Sequence, residues 1–328
     1  MWFEQLLGFK EENPDQVRSK IEIKANKLIS NVNGNEFVFG YLDVPALSDL
    51  RKQSIEEYRS KLSISEVVGN IQDFHQEEIN HGALFQVASQ FNLLEMLNPK
   101  LTPENGVGIY ENDYTQGPAC AIACGAGTIY RNYFAPVNHQ IGQTACNQID
   151  CLRDVGIDLA NDKHQLWEMV NGYVIANSVG LSKIAQLINS RSEAELEHLK
   201  GKLRIGLQCD TEVTIRNNKN RVTQAYCSAL PVAYAQCKPE LWEPFARLIL
   251  EASYEATLYA AVSNYKKTGN NRVFLTLLGG GAFGNHTEWI FDALKKAVHK
   301  FASVPLDVRI VSYGSTDLKV KSLIDSCR

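Results

Sequence analysis

The sequence lacks the patterns that mark several common classes of protein. Its eight cysteines include no C-x-x-C pair and no cysteine and histidine spacing typical of zinc, so we expect reduced thiols and no bound metal. It has no run of Lys or Arg longer than a pair, and its net charge is -4, which argues against a nucleic-acid groove. It also has no apolar stretch long enough to cross a membrane. We therefore expect neither nucleic acid nor a membrane as a partner.

The N-terminus lacks a positively charged segment followed by an apolar one. It reads MWFEQLLGFKEENPD, which is acidic and not typical of a signal peptide. The sequence therefore predicts a cytoplasmic protein, with secretion as an effector into a host cell left open.

What is present is the composition of an ordinary globular protein, with 328 residues of which 45% are apolar and 21% charged. Short segments rich in β-branched and aromatic residues alternate with helical patterns. The predicted strands are 37–42, 67–71, 84–88, 203–207, 222–227, 272–278 and 308–312, and the clearest predicted helices are 55–62, 119–130, 166–189, 241–266 and 287–301. This alternation predicts an α/β fold with a three-layer mixed sheet.

A glycine-rich segment, LTLLGGGAFGN at 275–285, follows a predicted strand and precedes a predicted helix. Free backbone amides and the positive end of a helix suit an anion such as a pyrophosphate. A tight turn with no ligand is the alternative. The spacing does not match G-x-G-x-x-G, and no Lys-Ser/Thr pair follows, which excludes a P-loop.

A second turn of this kind occurs in YENDYTQGPACAIACGAGTIYRNYF at 110–134, where Gly117 precedes a helix start rich in alanine. Two such turns on one sheet can hold a diphosphate from both sides. With these pieces in this order, the sequence resembles the macrodomain family of ADP-ribose-binding proteins. VVGNIQDF, ALFQVASQFNLLEM, TQGPACAIACGAG and RVFLTLLGGGAFGNHTEWIFDALKKA are similar to its inner strands and its two phosphate loops.

Within that family the arrangement most resembles the divergent MavL-type group of ADP-ribosyl-ubiquitin hydrolases. The resemblance covers about half of the chain. It implies an N-terminal extension over 1–60 and a macrodomain-like domain over 61–328, with a mainly helical insertion at about 135–205.

The resemblance also implies the residues that contact ADP-ribose. Asn70 stands where the family usually has an aspartate that contacts the adenine, and Asn92 stands where an asparagine reaches the distal ribose. The two glycine-containing turns would enclose the diphosphate. The complete set is Asn70, Ile71, Asn92, Thr115, Gln116, Gly117, Pro118, Ala119, Cys120, Gly280, Gly281, Ala282, Phe283, Gly284 and Asn285.

Hydrolysis at the anomeric carbon of a ribose passes through an oxocarbenium-like state, which a carboxylate can stabilise while it activates water. Asp113, four residues before Gly117, is the first candidate. Asp210 and Glu212 on one predicted strand are alternatives, although a solvated edge strand explains that pair without chemistry.

Two functions therefore compete. One is a hydrolase that removes ADP-ribose from protein side chains, with arginine linkage and ubiquitin as carrier implied by the resemblance. The other is a reader that binds ADP-ribose or ADP-ribosylated protein without turnover. Neither function requires a cofactor. A different nucleotide diphosphate hydrolase is disfavoured, because the sequence has no E-x-x-E-E cluster for a metal.

Overall fold

The computed structural model describes residues 1–53 and 60–327. Its strands are β1 (Ile21–Lys24), β2 (Lys27–Ser30), β3 (Glu36–Val38), β4 (Tyr41–Asp43), β5 (Ser63–Val68), β6 (Leu84–Ala88), β7 (Pro136–Val137), β8 (Gln140–Ile141), β9 (Glu168–Val170), β10 (Tyr173–Ile175), β11 (Gly206–Glu212), β12 (Arg221–Cys227), β13 (Arg272–Leu275) and β14 (Asp307–Ser312). Its α-helices are α1 (Trp2–Leu7), α2 (Pro14–Lys20), α3 (Leu47–Leu50), α4 (Ile71–Gln76), α5 (Gln116–Ala123), α6 (Gly125–Tyr133), α7 (Arg153–Asp158), α8 (Asn161–His164), α9 (Ser178–Asn189), α10 (Glu193–Gly201), α11 (Glu243–Thr268), α12 (Thr287–Lys300) and α13 (Leu318–Cys327). None of these helices of the described chain is long and apolar enough to cross a membrane.

Seven strands form one mixed sheet in the spatial order β4-β11-β12-β6-β13-β14-β5. From β12 to β5 every neighbouring pair is parallel, whereas β11 runs antiparallel to both β12 and β4. The carboxyl ends of the parallel strands therefore lie at one edge of the sheet. Crevices at this edge are the usual ligand sites of open α/β sheets.

Helices cover both faces of the sheet. On β6, the ring of Phe85 stacks against His75 of α4, with centroids 3.8 Å apart. The next residue, Gln86, donates from Nε2 to Oγ1 of Thr257 in α11 at 2.9 Å. Successive strand residues point to opposite faces, so α4 and α11 lie on opposite sides of the sheet. The predicted three-layer α/β architecture with a mixed sheet is confirmed.

Residues 1–39 pack against α5 and α6 as an additional small layer. Strands β1, β2 and β3 form an antiparallel sheet, and Phe3, Leu7 and Val17 are buried in one apolar cluster with Tyr110 and Tyr133. Strand β4 instead forms the edge of the central sheet beside β11. The division of the chain near residue 60, and the insertion at about 135–205, stay predictions.

The structure corrects two predicted helices. The stretch 166–177 is not helical, because it holds the hairpin β9–β10, which turns at Asn171 and Gly172 with φ of 48° and 80°; residues with positive φ do not continue an α-helix. The predicted helix over 119–130 is instead the pair α5 and α6, which meet at Cys124 with ψ of 60°. The predicted helix over 55–62 lies mostly outside the described residues.

Candidate active site

A cleft opens at the carboxyl ends of β6, β12 and β13. It is lined by 88–90 and 95–97 after β6, by Asp113 and 115–118 at the start of α5, by 276–279 and 281–283 after β13, and by Tyr173, Ala229 and Tyr234. Both turns predicted to bind phosphate therefore line the same cleft. It lies where the topology of an α/β sheet predicts a ligand site.

The first turn is fixed to the end of β6 by Gln116. Its side chain donates from Nε2 to the carbonyl oxygen of Gln86 at 2.8 Å and accepts the N–H of Ala88 at 3.0 Å, as a neighbouring strand would. The backbone N–H groups of Gln116 and Gly117 donate to no acceptor among the described residues. Because the N–H groups of a first helical turn point out of the helix end, these two remain available to a ligand.

The second turn is closed by its own backbone. Gly280 donates its N–H to Leu277 at 3.0 Å, and Gly284 donates to Gly281 at 3.0 Å. Gly284 has φ of 70°, and a Cβ there would lie 2.8 Å from Cβ of Ala233, so a side chain is excluded. The amides of Gly281, Ala282 and Phe283 have no acceptor in the described part of the chain. This turn therefore also presents free backbone donors.

Two carboxyl groups line the cleft beside these turns. Asp113 is partly exposed, and its Oδ1 accepts the N–H of Thr115 at 2.8 Å. Glu95 is only 3% exposed, and its Oε1 has no hydrogen-bond partner in the described residues. Burial raises the pKa of Glu95 well above its usual range, with nearby Arg131 acting in the opposite direction and Asp113 adding to the rise. Burial therefore favours the protonated form of Glu95 over the carboxylate.

Sequence reasoning missed Glu95. The signal that could have found it is a single acidic residue inside the apolar run NLLEML at 92–97. An acidic residue flanked by buried apolar neighbours is itself buried, and buried carboxyls with shifted pKa values are typical of functional sites.

The N-terminal layer holds the segment that leads to Asp113. The carboxylate of Glu11 accepts the N–H groups of Val107 at 3.0 Å and Gly108 at 2.6 Å, and the hydroxyl of Tyr133 at 2.7 Å. These contacts fix the start of the short 3-10 helix at Gly108–Asn112. The additional layer thus supports the cleft from behind.

An aromatic wall forms the other side of the cleft. Tyr173, Tyr234 and Phe283 contact one another with ring centroids 5.4, 5.6 and 5.7 Å apart. The hydroxyl of Tyr173 donates to the carbonyl oxygen of Met96 at 2.6 Å, which ties the wall to the segment that carries Glu95. Tyr234 is 39% exposed and is available to a ligand.

Several predicted ligand residues do not line this cleft. Asn92 is fully buried; it accepts the N–H of Leu94 at 3.1 Å and donates to Gln148 at 2.9 Å. Asn285 is buried under the second turn, where it donates to the carbonyl oxygen of Leu230 at 2.8 Å. The others outside the lining are Ile71, Ala119, Cys120, Gly280 and Gly284.

Asn70 lies at the same edge of the sheet but farther along it. It follows β5, which β14 separates from β13, and its side chain accepts the N–H of Gln72 at 2.9 Å as the cap of α4.

The alternative carboxylates Asp210 and Glu212 lie away from the cleft. Asp210 pairs with Arg221 at 2.9 Å and lines a separate cavity with Gly82 at the amino-terminal side of β6. Glu212 is buried and accepts the N–H of Val38 at 2.9 Å. Residues two apart on a regular strand point to the same face of the sheet. A β-bulge between Gln208 and Thr211 interrupts this alternation at Asp210.

Among the described residues, no three His, Cys, Asp or Glu side chains are grouped as metal ligands would be.

Comparison with protein-family models finds no match, and comparison with curated protein sequences finds none either.

Three solved structures match this chain at low identity. Poly(ADP-ribose) glycohydrolase from Deinococcus radiodurans in complex with ADP-ribose is 10% identical, over 86% of this chain and 91% of that chain, with a TM-score of 0.46. The enzyme of the same name from Thermomonospora curvata is 10% identical, over 96% of each chain, with a TM-score of 0.45. A macrodomain from Oceanobacillus iheyensis with MES bound is 11% identical, over 88% and 96%, with a TM-score of 0.33. Likeness at these values assigns no activity to this chain.

Proposed function

We propose that the protein is a hydrolase that releases ADP-ribose from modified protein side chains. The observation that carries the proposal is the meeting, in one cleft, of two turns with free backbone amides and two carboxyl groups, Asp113 and Glu95. The amides supply donors for a diphosphate, and the carboxyls supply the groups that glycoside hydrolysis needs.

The charges of the cleft are consistent with this ligand. No Lys, Arg or His is among the described residues that line it, so an anion must be held by backbone amides. Two ionised carboxylates would repel a diphosphate. Burial raises the pKa of Glu95, which disfavours a second negative charge in the cleft.

The adenine end of the ligand has a candidate position as well. Tyr313 follows β14 and is 85% exposed, and β14 lies between β13 and β5 in the sheet. A purine that stacks on this ring would lie between the second turn and Asn70. An exposed aromatic ring is a suitable surface for a base.

We assign the chemistry at the distal ribose to Asp113. It lies two residues before the first turn and lines the cleft with Tyr173 and Tyr234. As a carboxylate it would stabilise the oxocarbenium-like state and take a proton from the attacking water. The resemblance to the MavL-type group is the reason to include arginine-linked ADP-ribose on ubiquitin among the substrates tested.

A non-catalytic reader is the second candidate, and one observation favours it. The Oδ1 atom of Asp113 accepts the N–H of Thr115 at 2.8 Å, just before α5 begins. A carboxylate that stabilises a helix start in this way needs no catalytic role.

One assay separates the two candidates. The protein is incubated with proteins carrying arginine-linked, acidic-residue-linked and serine-linked ADP-ribose, and free ADP-ribose is measured. In parallel, calorimetry and thermal unfolding measure the binding of free ADP-ribose, which at about 100 times its Kd stabilises a fold by roughly 2.7 kcal/mol. Release supports the hydrolase, binding without release supports the reader, and neither at millimolar ligand rules out both.

A further inference from the structure

Glu95 is a buried carboxyl group in the cleft, and one of its oxygens makes no hydrogen bond in the described residues. It is 3% exposed and lines the cleft, yet its Oε1 has no hydrogen-bond partner among the described residues. A buried polar atom left unpaired is destabilising, because it has lost its hydrogen bonds to water. A ligand that enters the cleft and supplies a partner for this oxygen would recover that cost.

No charged group near Glu95 in the described structure forms an ion pair with its carboxyl group. Arg131 is completely buried, but its guanidinium donates to the carbonyl oxygen of Leu93 at 3.2 Å and to Oγ1 of Thr128 at 3.1 Å. It also stacks over the ring of Tyr226 at 3.7 Å. Arg131 makes no ion pair with Glu95 in the described structure. The hydroxyl oxygen of Tyr110 accepts the backbone N–H of Glu95 at 3.0 Å.

The two carboxyls of the cleft are held in opposite environments. Asp113 is partly exposed, and its Oδ1 accepts the N–H of Thr115. Glu95 is buried, accepts no such bond at Oε1, and lies near the negative charge of Asp113, so its pKa rises. A pair of carboxyls whose environments differ in this way divides into an acid and a base.

We propose that Glu95 is the acid of the site and that the substrate is ADP-ribose joined to a protein through an oxygen atom. This proposal rests on the hydrolase function. The bond between the anomeric carbon and the side-chain oxygen breaks, and the proton of Glu95 passes to that oxygen. Water adds to the anomeric carbon and gives its proton to Asp113. The products are ADP-ribose and the free hydroxyl, and the proton on Asp113 returns to Glu95 through solvent.

A proton donor at Glu95 favours a substrate in which ADP-ribose is joined to the protein through oxygen. An alkoxide is a poor leaving group and requires a proton as the bond breaks. The guanidinium of an ADP-ribosylated arginine already carries its proton and leaves as a neutral guanidine, so a buried neutral acid gives no advantage there. The presence of Glu95 therefore favours serine-type linkage over arginine linkage.

The test uses Glu95→Gln with two substrates, serine-linked ADP-ribose on a protein and the 4-nitrophenyl glycoside of ADP-ribose, whose leaving group needs no proton. We expect the variant to lose about 10²–10⁴-fold in single-turnover rate on the serine-linked substrate and to retain most of its rate on the nitrophenyl glycoside. Asp113→Asn slows both. Glu255→Gln is the matched control, because Glu255 is also buried but lies on α11 and pairs with Arg51 at 2.7 Å; it keeps both rates.

Two results would overturn this assignment while leaving the hydrolase intact. One is an equal effect of Glu95→Gln on both substrates, and the other is a wild type that releases ADP-ribose from arginine alone. A wild type that releases ADP-ribose from no substrate refutes the proposed function itself, and the assignment with it. If Glu95→Gln does not fold, wild-type rates across a series of leaving groups decide. A weak dependence on leaving-group pKa supports the acid, and a steep one overturns it.

Discussion

Gly117 and Glu95 are in such close contact that only glycine fits at position 117. A Cβ on Gly117 would lie 2.4 Å from Oε2 of Glu95 and 2.1 Å from the carbonyl oxygen of Ala88. The glycine of the first turn therefore has two roles. It lets α5 approach the end of β6, and it leaves room for the buried carboxyl.

Gly117→Ala is expected to destabilise the protein by about 1–3 kcal/mol, the usual cost of overpacking, and to reduce turnover by displacing Glu95. Urea unfolding and single-turnover release of ADP-ribose measure the two effects. Gly281→Ala is the matched control, because a Cβ there has nothing within 4 Å. Equal stability of Gly117→Ala and the wild type would show that the carbonyl of Ala88 moves freely.

Gly281→Glu tests the second turn. The position is exposed and has open space for a side chain, so we expect an unchanged melting temperature. A carboxylate beside the free amides of Ala282 and Phe283 would occupy the place of the diphosphate and repel it. ADP-ribose binding should fall below detection by calorimetry, while Gly281→Ala binds normally. Normal binding by Gly281→Glu would mean that this turn contacts no ligand.

Parts of the fold were predictable because their sequence patterns are strong. The segments 84–88, 222–227 and 308–312 are apolar and rich in β-branched or aromatic residues, and each is a strand of the central sheet. The hairpin β9–β10 was missed because its strands have three residues each, too few to show a period of two. Its turn signal, Asn171-Gly172, stands inside a segment that otherwise resembles a helix start.

The parts of the candidate site that are formed by backbone groups were predictable from the sequence. The parts that are formed by side chains were less predictable. Glycine clusters pointed to both turns, because only glycine fits beside Ala88 or Ala233. The partners of side chains depend on distant segments that sequence does not show. Asn285 caps no helix; it donates to Leu230, 55 residues earlier in the chain. Glu95 follows β6 in sequence, and its carboxyl is enclosed by Gly117 of α5, about 20 residues later in the chain.

Asp113→Asn separates binding from catalysis. Asparagine keeps an oxygen that accepts the N–H of Thr115, so α5 should begin as before. Removal of a negative charge near the diphosphate should leave ADP-ribose affinity unchanged or higher, while turnover falls by roughly 10² or more. Calorimetry and single-turnover kinetics measure the two quantities.

Asp210→Asn and Glu212→Gln complete that comparison. Both residues lie outside the cleft, in contact with Arg221 and Lys219 respectively, and we expect each variant to lose less than about tenfold in turnover. A larger loss for either one than for Asp113→Asn would move the chemistry to β11.

The last prediction concerns acid stability and His75. This side chain is completely buried; its Nδ1 donates to the carbonyl oxygen of Ile71 at 2.8 Å, and its Nε2 accepts from Gln224 at 3.1 Å. Burial lowers the pKa of His75 to about 4, below its value of about 6.5 in an unfolded chain. Between these values the unfolded state binds more protons, so stability falls as the pH falls, by up to about 3 kcal/mol.

His75→Phe should remove this contribution to the pH dependence. The variant loses two buried hydrogen bonds and is less stable at pH 7, but its urea midpoint should decline less than that of the wild type between pH 6.5 and 4. Burial raises the pKa values of Glu95 and Glu11, so these two groups make the protein more stable as the pH falls. They contribute equally to both proteins, and the difference between the two curves therefore reports His75 alone. His139→Gln, at an exposed position, should follow the wild type. Parallel curves for wild type and His75→Phe would show that folding does not lower the pKa of His75.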